Sequence, residues 1–147
     1  MSPKRWVMQA PGRSALFIDL DNVTISKGQS LAAEQAEQVL LKIVMAAGPV
    51  DWQLAVAPRG TITRYGATLA KLGMQWDVVP CGPDAADARI VEAAFDLSGH
   101  GFTHYTVASA DGYFAQISRL GSLKVITRVG QQVSWRLRAT ASELVPV

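Results

Sequence analysis

The chain has 147 residues, 49% of them hydrophobic and 18% charged, with a formal net charge of +2. That balance excludes a disordered chain and fits one globular domain with its own core. From so mild a charge no general affinity for nucleic acid follows, and any acidic partner has to be met by a local patch.

Residues 1–13 read as an N-terminal extension, and residues 14–147 as the domain. Lys4-Arg5 precedes only a short apolar stretch, interrupted by Gln9 and Pro11, which does not make a signal peptide. No apolar run approaches the roughly 20 residues of a membrane span. The single cysteine, Cys81, rules out an internal disulfide and fits a reducing compartment. It has no CxxC or Cys/His cluster around it, so no structural zinc is expected. A cytoplasmic protein without a membrane partner follows as the expectation.

Ser14 to Leu20 predicts a first strand, ending in Asp19-Leu20-Asp21-Asn22. Leu31 to Ala47 predicts a helix with Ser30 as N-cap and Gly48-Pro49 as its stop. Trp52 to Ala57 predicts the second strand, Thr61 to Leu72 a helix closed by Gly73, and Gln75 to Pro80 the third strand. Asp84 to Leu97 predicts the next helix, Tyr105 to Ser109 the fourth strand and Gly112 to Leu120 a short helix. Leu123 to Thr127 predicts the fifth strand, and Val133 to Ala141 a final helix. Alternating strands and helices predict an α/β fold: a Rossmann-like three-layer sandwich around a mostly parallel sheet of about five strands. Ligands bind outside the carboxyl ends of such strands.

Those strand ends carry acids. Asp19 emerges after Ala15-Leu16-Phe17-Ile18, and Asp111 after Thr106-Val107-Ala108-Ser109-Ala110. Asp87 is the most informative of them. At about 100° per residue it falls on the apolar stripe of its helix, beside Ile90, Val91 and Ala94 and flanked by Phe95 and Leu97, while Arg89, Glu92 and Asp96 take the far side. A carboxylate is rarely fully buried unless paired or bound to a metal. Three acids from separate elements repel without a counter-ion, and a hard divalent cation on oxygen ligands answers that repulsion. Such an ion lowers the pKa of a bound water and offsets charge on a phosphate, which suits phosphodiester hydrolysis.

Plainer readings stand beside each acid. Asp84 suits an N-cap, Asp87 a capping box near the helix dipole, Asp21 and Asn22 a polar turn, and Asp111-Gly112 a turn with a helix cap. Arg59, Arg64 and Lys27 lie in or near strand-exit loops, and Tyr65 or Tyr113 can stack on a base. Lys71, Arg119 and Arg136 read as solvated helix faces. His100 and His104 fall at the opposite, N-terminal edge of the fourth strand, away from catalysis. Trp52, Trp76 and Trp135 read as core or helix-packing residues.

Taken in order, Phe17-Ile18-Asp19-Leu20-Asp21-Asn22, Ala85-Ala86-Asp87-Ala88-Arg89-Ile90 and Ser109-Ala110-Asp111-Gly112-Tyr113-Phe114 resemble the NYN domains of the PIN-like nuclease group. Ser134 to Leu144 looks like that family's closing helix, so the resemblance spans roughly residues 14–145. It implies a PIN-like fold and a Mg²⁺- or Mn²⁺-dependent ribonuclease. Asp19, Asp87 and Asp111 would then be metal-binding catalytic acids, Asn22 a support of the first loop, and RNA the partner. Where the family usually has a further aspartate, this chain has Tyr113, and Ala110 replaces a glycine. Asp84 or Asp21 can act as a supporting acid in its place.

Tyr113 also motivates an alternative, a catalytically weakened RNA-binding or regulatory module. A third reading is a haloacid-dehalogenase-type phosphatase, because Asp19-Leu20-Asp21-Asn22-Val23-Thr24 resembles its nucleophile loop, although the usual DxDGT pattern is broken. A dinucleotide enzyme is disfavoured because no GxGxxG follows the first strand. With no attached RNA-binding domain, a homodimer or a protein partner is a natural source of specificity.

Overall fold

Both faces of the first strand are apolar, and each meets a different layer. In β1 (Arg13–Asp19), Ala15 and Phe17 point into one core, and Leu16 and Ile18 into the other. β4 (Trp52–Pro58) divides the same way, with Leu54 and Val56 against Ala55 and Ala57. The computed structural model describes residues 12–147; most of the expected N-terminal extension, with Lys4-Arg5, lies outside the described residues.

After β1 the chain turns through a one-turn helix, α1 (Leu20–Thr24), and a small hairpin of β2 (Ile25–Ser26) and β3 (Gln29–Ser30). α2 (Ala33–Ala47) leads to β4, and α3 (Arg59–Lys71) to β5 (Trp76–Val79). α4 (Ala85–Ser98) then crosses to β6 (Phe102–Ala108). A 3-10 helix (Gly112–Arg119), β7 (Ser122–Thr127), the short α5 (Trp135–Thr140) and β8 (Glu143–Pro146) complete the chain. The main sheet runs β5-β4-β1-β6-β7-β8, with all neighbours parallel. α1, α2 and α3 cover one face, while α4, the 3-10 helix and α5 cover the other. This is the expected Rossmann-like three-layer α/β sandwich.

The sheet has six strands where about five were expected. The extra one, β8, occupies the edge beside β7 and ends in Pro146, a residue edge strands tolerate. The expected closing helix to Leu144 is thus only α5, followed by a strand. Ser30 does not cap α2: it belongs to β3, and the first turn is instead closed by Gln35 Oε1, which accepts from the Ala32 N–H at 3.2 Å. The hairpin reverses at Lys27-Gly28, both with positive φ (53° and 77°), as a tight turn between right-twisted strands requires.

Chain direction reverses beside β1. From there β4 and β5 build outward on one side, and β6, β7 and β8 on the other. The crevice above the carboxyl ends of β1 and β6 is the switch point where such sheets bind ligands. At the far end of β6, Gly121 permits a close passage. A Cβ there would sit 2.0 Å from the carbonyl oxygen of Thr103, which is backbone and cannot swing aside. Gly121→Ala is expected to destabilise the protein by roughly 1–3 kcal/mol, read as a lower urea midpoint with unchanged slope.

Candidate functional site

The pleat that sends Ala15 and Phe17 toward α4 sends Asp19 there too. Asp19 stands at the carboxyl end of β1 and is only 6% exposed. α4 lays Ile90, Val91 and Ala94 on the sheet, and Asp87 lies on that same stripe, also 6% exposed. Asp111 leaves the end of β6 as N-cap of the 3-10 helix, where its Oδ1 accepts the N–H of Tyr113 at 2.9 Å. The acids expected to converge do so around one open cleft of about 490 Å³.

Five carboxylates line this cleft: Asp19, Asp21, Asp84, Asp87 and Asp111. Among the described residues no lysine, arginine or histidine lines it, so none of them answers the negative charge there. Burial, with the charges of Asp19 and Asp111 added, pushes the Asp87 carboxyl up to about 7; a hydrogen bond to Asp111 and the charge of Asp84 act in the same direction. Asp19 is pushed up to about 6, chiefly by burial; Asp111 and Asp21 add to this, while bonds from Ser109 and the Asn22 backbone hold it back.

Ser109, fully buried, connects two of the acids. Its hydroxyl donates to Asp19 Oδ2 at 3.0 Å and accepts the Asp111 N–H at 3.1 Å. Asn22 supports the loop, as expected. Its Oδ1 accepts from the Ala110 N–H at 3.1 Å and from Gln131 Nε2 at 2.6 Å, tying the end of β1 to the exit of β6 and to the loop after β7. Arg128 closes the same clamp, donating to the Ile25 carbonyl at 2.6 Å. Asn22→Ala leaves these two donors without their acceptor. The expected cost is roughly 1–3 kcal/mol, measured by urea unfolding.

Asp21 accepts a bond from the Thr61 hydroxyl, which fixes it at the cleft wall. Asp84 occupies the N-cap position of α4, yet its side chain makes no capping bond. Its backbone is left-handed, with φ of 68°, and the carboxylate lines the cleft instead. Sequence reasoning passed over Ser109, Gln131, Arg128 and Thr61. Ser109 carried the one available signal, since alternation along β6 puts it on the face of Tyr105 and Val107, beside Asp19.

Several aromatic assignments need correction. Tyr65 is buried and donates its hydroxyl to the Leu31 carbonyl at 2.6 Å, so it cannot stack on a base. Trp135 is 73% exposed and Trp76 38%, so neither is the packing residue expected, whereas Trp52 does pack, edge-on to Phe17. Phe95, expected beside the apolar stripe of α4, is exposed. Arg59 and Arg64 are exposed on the first turns of α3, and Lys27 tops the hairpin; none of the three lines the acidic cleft. Tyr113 is 38% exposed and faces a neighbouring groove. His104 sits low on β6, its Nδ1 2.8 Å from Ser122 Oγ, away from the cleft as expected.

Among the described residues, no three His, Cys, Asp or Glu side chains stand close enough as they are to hold a metal ion. The donor chemistry nevertheless suits a hard cation, since the carboxylates of Asp19, Asp21, Asp84, Asp87 and Asp111 offer only oxygen. Mg²⁺ is commonly held through one or two carboxylates with several waters retained, so it does not need three acids in contact. No helix of the described residues is long and apolar enough to cross a membrane.

No protein-family model matches the chain, and no curated protein matches it. Among solved structures it is similar to a protein of unknown function from Vibrio parahaemolyticus, with a TM-score of 0.68 and 15% identity. The match covers 95% of this chain and 94% of that one, a likeness of fold over the full domain.

Proposed function

We propose that this protein hydrolyses phosphodiester bonds in RNA at the cleft shared by Asp19, Asp87 and Asp111, with Mg²⁺ or Mn²⁺ held by one or two of those acids and retained waters. One observation carries the reading: five carboxylates face a cleft with no basic side chain among the described residues, and burial with mutual repulsion pushes Asp87 up to about 7. The resemblance of the three acid-bearing motifs to NYN domains supports RNA as the substrate. A bound divalent ion supplies an activated water and charge compensation for the phosphate. The chain's own residues do the rest. Asp87, whose carboxyl is raised by burial and by its acidic neighbours, would ionise on receiving the ion, and the Ser109 hydroxyl fixes Asp19 at the cleft by donating to its Oδ2. Asn22 and Gln131 hold the loop still, so the acids keep their spacing.

The test is cleavage of labelled RNA by purified protein with Mn²⁺, beside the same reaction in EDTA. Cutting that needs the ion supports the reading. Cutting that survives EDTA, or none with any divalent ion, sinks it.

A second reading, a weakened RNA-binding or regulatory module, is favoured by Tyr113, which stands outside the cleft where the family has another acid. RNA binding without a calorimetric signal for Mg²⁺ or Mn²⁺ selects it. The phosphatase reading needs Asp19 as a nucleophile, a demanding role for a carboxylate this buried and bonded to Ser109. Failure to turn over simple phosphate esters dismisses it.

A further inference from the structure

Beside the acidic cleft runs a groove of opposite character. The 3-10 helix and α5 form its walls, and Tyr113, Gln116, Arg119, Trp135 and Arg136 line it around a volume of about 510 Å³. No carboxylate lines it. Of α5, only Leu137 is buried, so packing does not explain a tryptophan at its start with 73% of its surface in water. The Arg136 guanidinium lies 5.7 Å from the Trp135 ring centroid, within cation–π reach. Gly112 lets the two walls meet: a Cβ there would stand 2.4 Å from Ser134 Oγ, immediately before Trp135.

The two surfaces adjoin. Asp111 lines the cleft, and Tyr113, two residues on, lines the groove, a backbone step of at most about 7 Å. Exposed aromatic faces interleaved with arginines are the means by which proteins hold single strands, since every base offers a face to stack and every phosphate a charge to meet. A duplex keeps its bases stacked inside and cannot use them. We infer that this groove binds a single RNA strand and leads it into the acidic cleft, with Tyr113 and Trp135 stacking on bases and Arg119 and Arg136 holding phosphates. The inference rests on the RNA-cleaving reading of the cleft for the identity of its ligand.

Binding is measured in EDTA, where no cutting occurs, by fluorescence anisotropy of a short labelled oligouridine. Trp135→Ala removes little buried surface, and circular dichroism checks its fold. It is expected to weaken binding about 5- to 100-fold, with Trp135→Phe retaining most of the affinity. Arg119→Ser is expected to flatten the salt dependence by about one unit of slope. Equal affinity for wild type and Trp135→Ala overturns the inference, as does a wild type that does not bind the oligouridine. A wild-type dimer that Trp135→Ala dissolves overturns it in favour of an interface between copies. Cleavage run in parallel separates the two claims. Intact Mn²⁺-dependent cutting with unchanged binding removes the groove alone, and weakened binding in a protein that cuts nothing removes the nuclease reading alone.

Discussion

Asp87→Asn is expected to lower Mn²⁺-dependent RNA cleavage about 100-fold or more while leaving the fold intact, as read from initial rates on a labelled substrate beside circular dichroism. The size follows from the several kilocalories per mole that a held cation contributes to a phosphoryl transition state, each 1.4 of which is about tenfold in rate. The intact fold follows from the chemistry of the replacement. Asparagine has the shape of a protonated aspartate and carries no charge to repel its acidic neighbours. Asp19→Asn should act alike, since its amide can still face Ser109. Cleavage within about threefold of wild type in both variants would remove these acids from the reaction.

That all three acids are legible in the sequence has a physical cause. Asp87 stood out because a helix period exposes any charge on the apolar stripe, and Ile90, Val91 and Ala94 do bury beside it. Asp19 stood out because an apolar run facing two cores delivers its next residue to the strand end. Asp111 was legible only as a strand exit, and its capping of the 3-10 helix shows that a plain structural role and a site role coexist in one side chain. Position along the chain did not reveal the supports. Gln131 reaches Asn22 across 109 residues, and no local pattern distinguishes it from any other loop glutamine.

Tyr65 had a signal that was misread. Ile62, Tyr65 and Leu69 recur at helical spacing on the buried face of α3, so the ring belonged to the core from its period alone. Trp135 failed in the opposite direction. Its helix is too short to establish a period, so tryptophan's usual preference for burial decided the reading, and the chain instead leaves it in water. β8 escaped because four residues ending in proline carry almost no strand signal, and their partner β7 is settled only by tertiary pairing.

Stability should fall as pH rises from about 4 to above 7 in protein stripped of divalent ions, and Mn²⁺ should reverse the loss. Asp19 and Asp87 ionise near their ordinary 3.8 in the unfolded chain but only near 6 and 7 once folded. Across that window the folded state holds more protons than the unfolded one, so each step up in pH favours unfolding. Below about 3.8 both states are protonated, and the contribution is fully present; above 7 it is gone. The melting temperature of Asp87→Asn should therefore exceed that of wild type at pH 8 and match it closely near pH 4. After allowance for solvent screening at this open cleft, the difference at pH 8 corresponds to roughly 1–2 kcal/mol, or about 3–8 °C. Mn²⁺ should raise the melting temperature of wild type at pH 8 in proportion to the logarithm of its concentration, with protons released on binding, and should do so far less in Asp87→Asn. A wild type whose melting temperature is flat from pH 4 to 8 and indifferent to Mn²⁺ would mean that these carboxylates neither strain the fold nor share an ion.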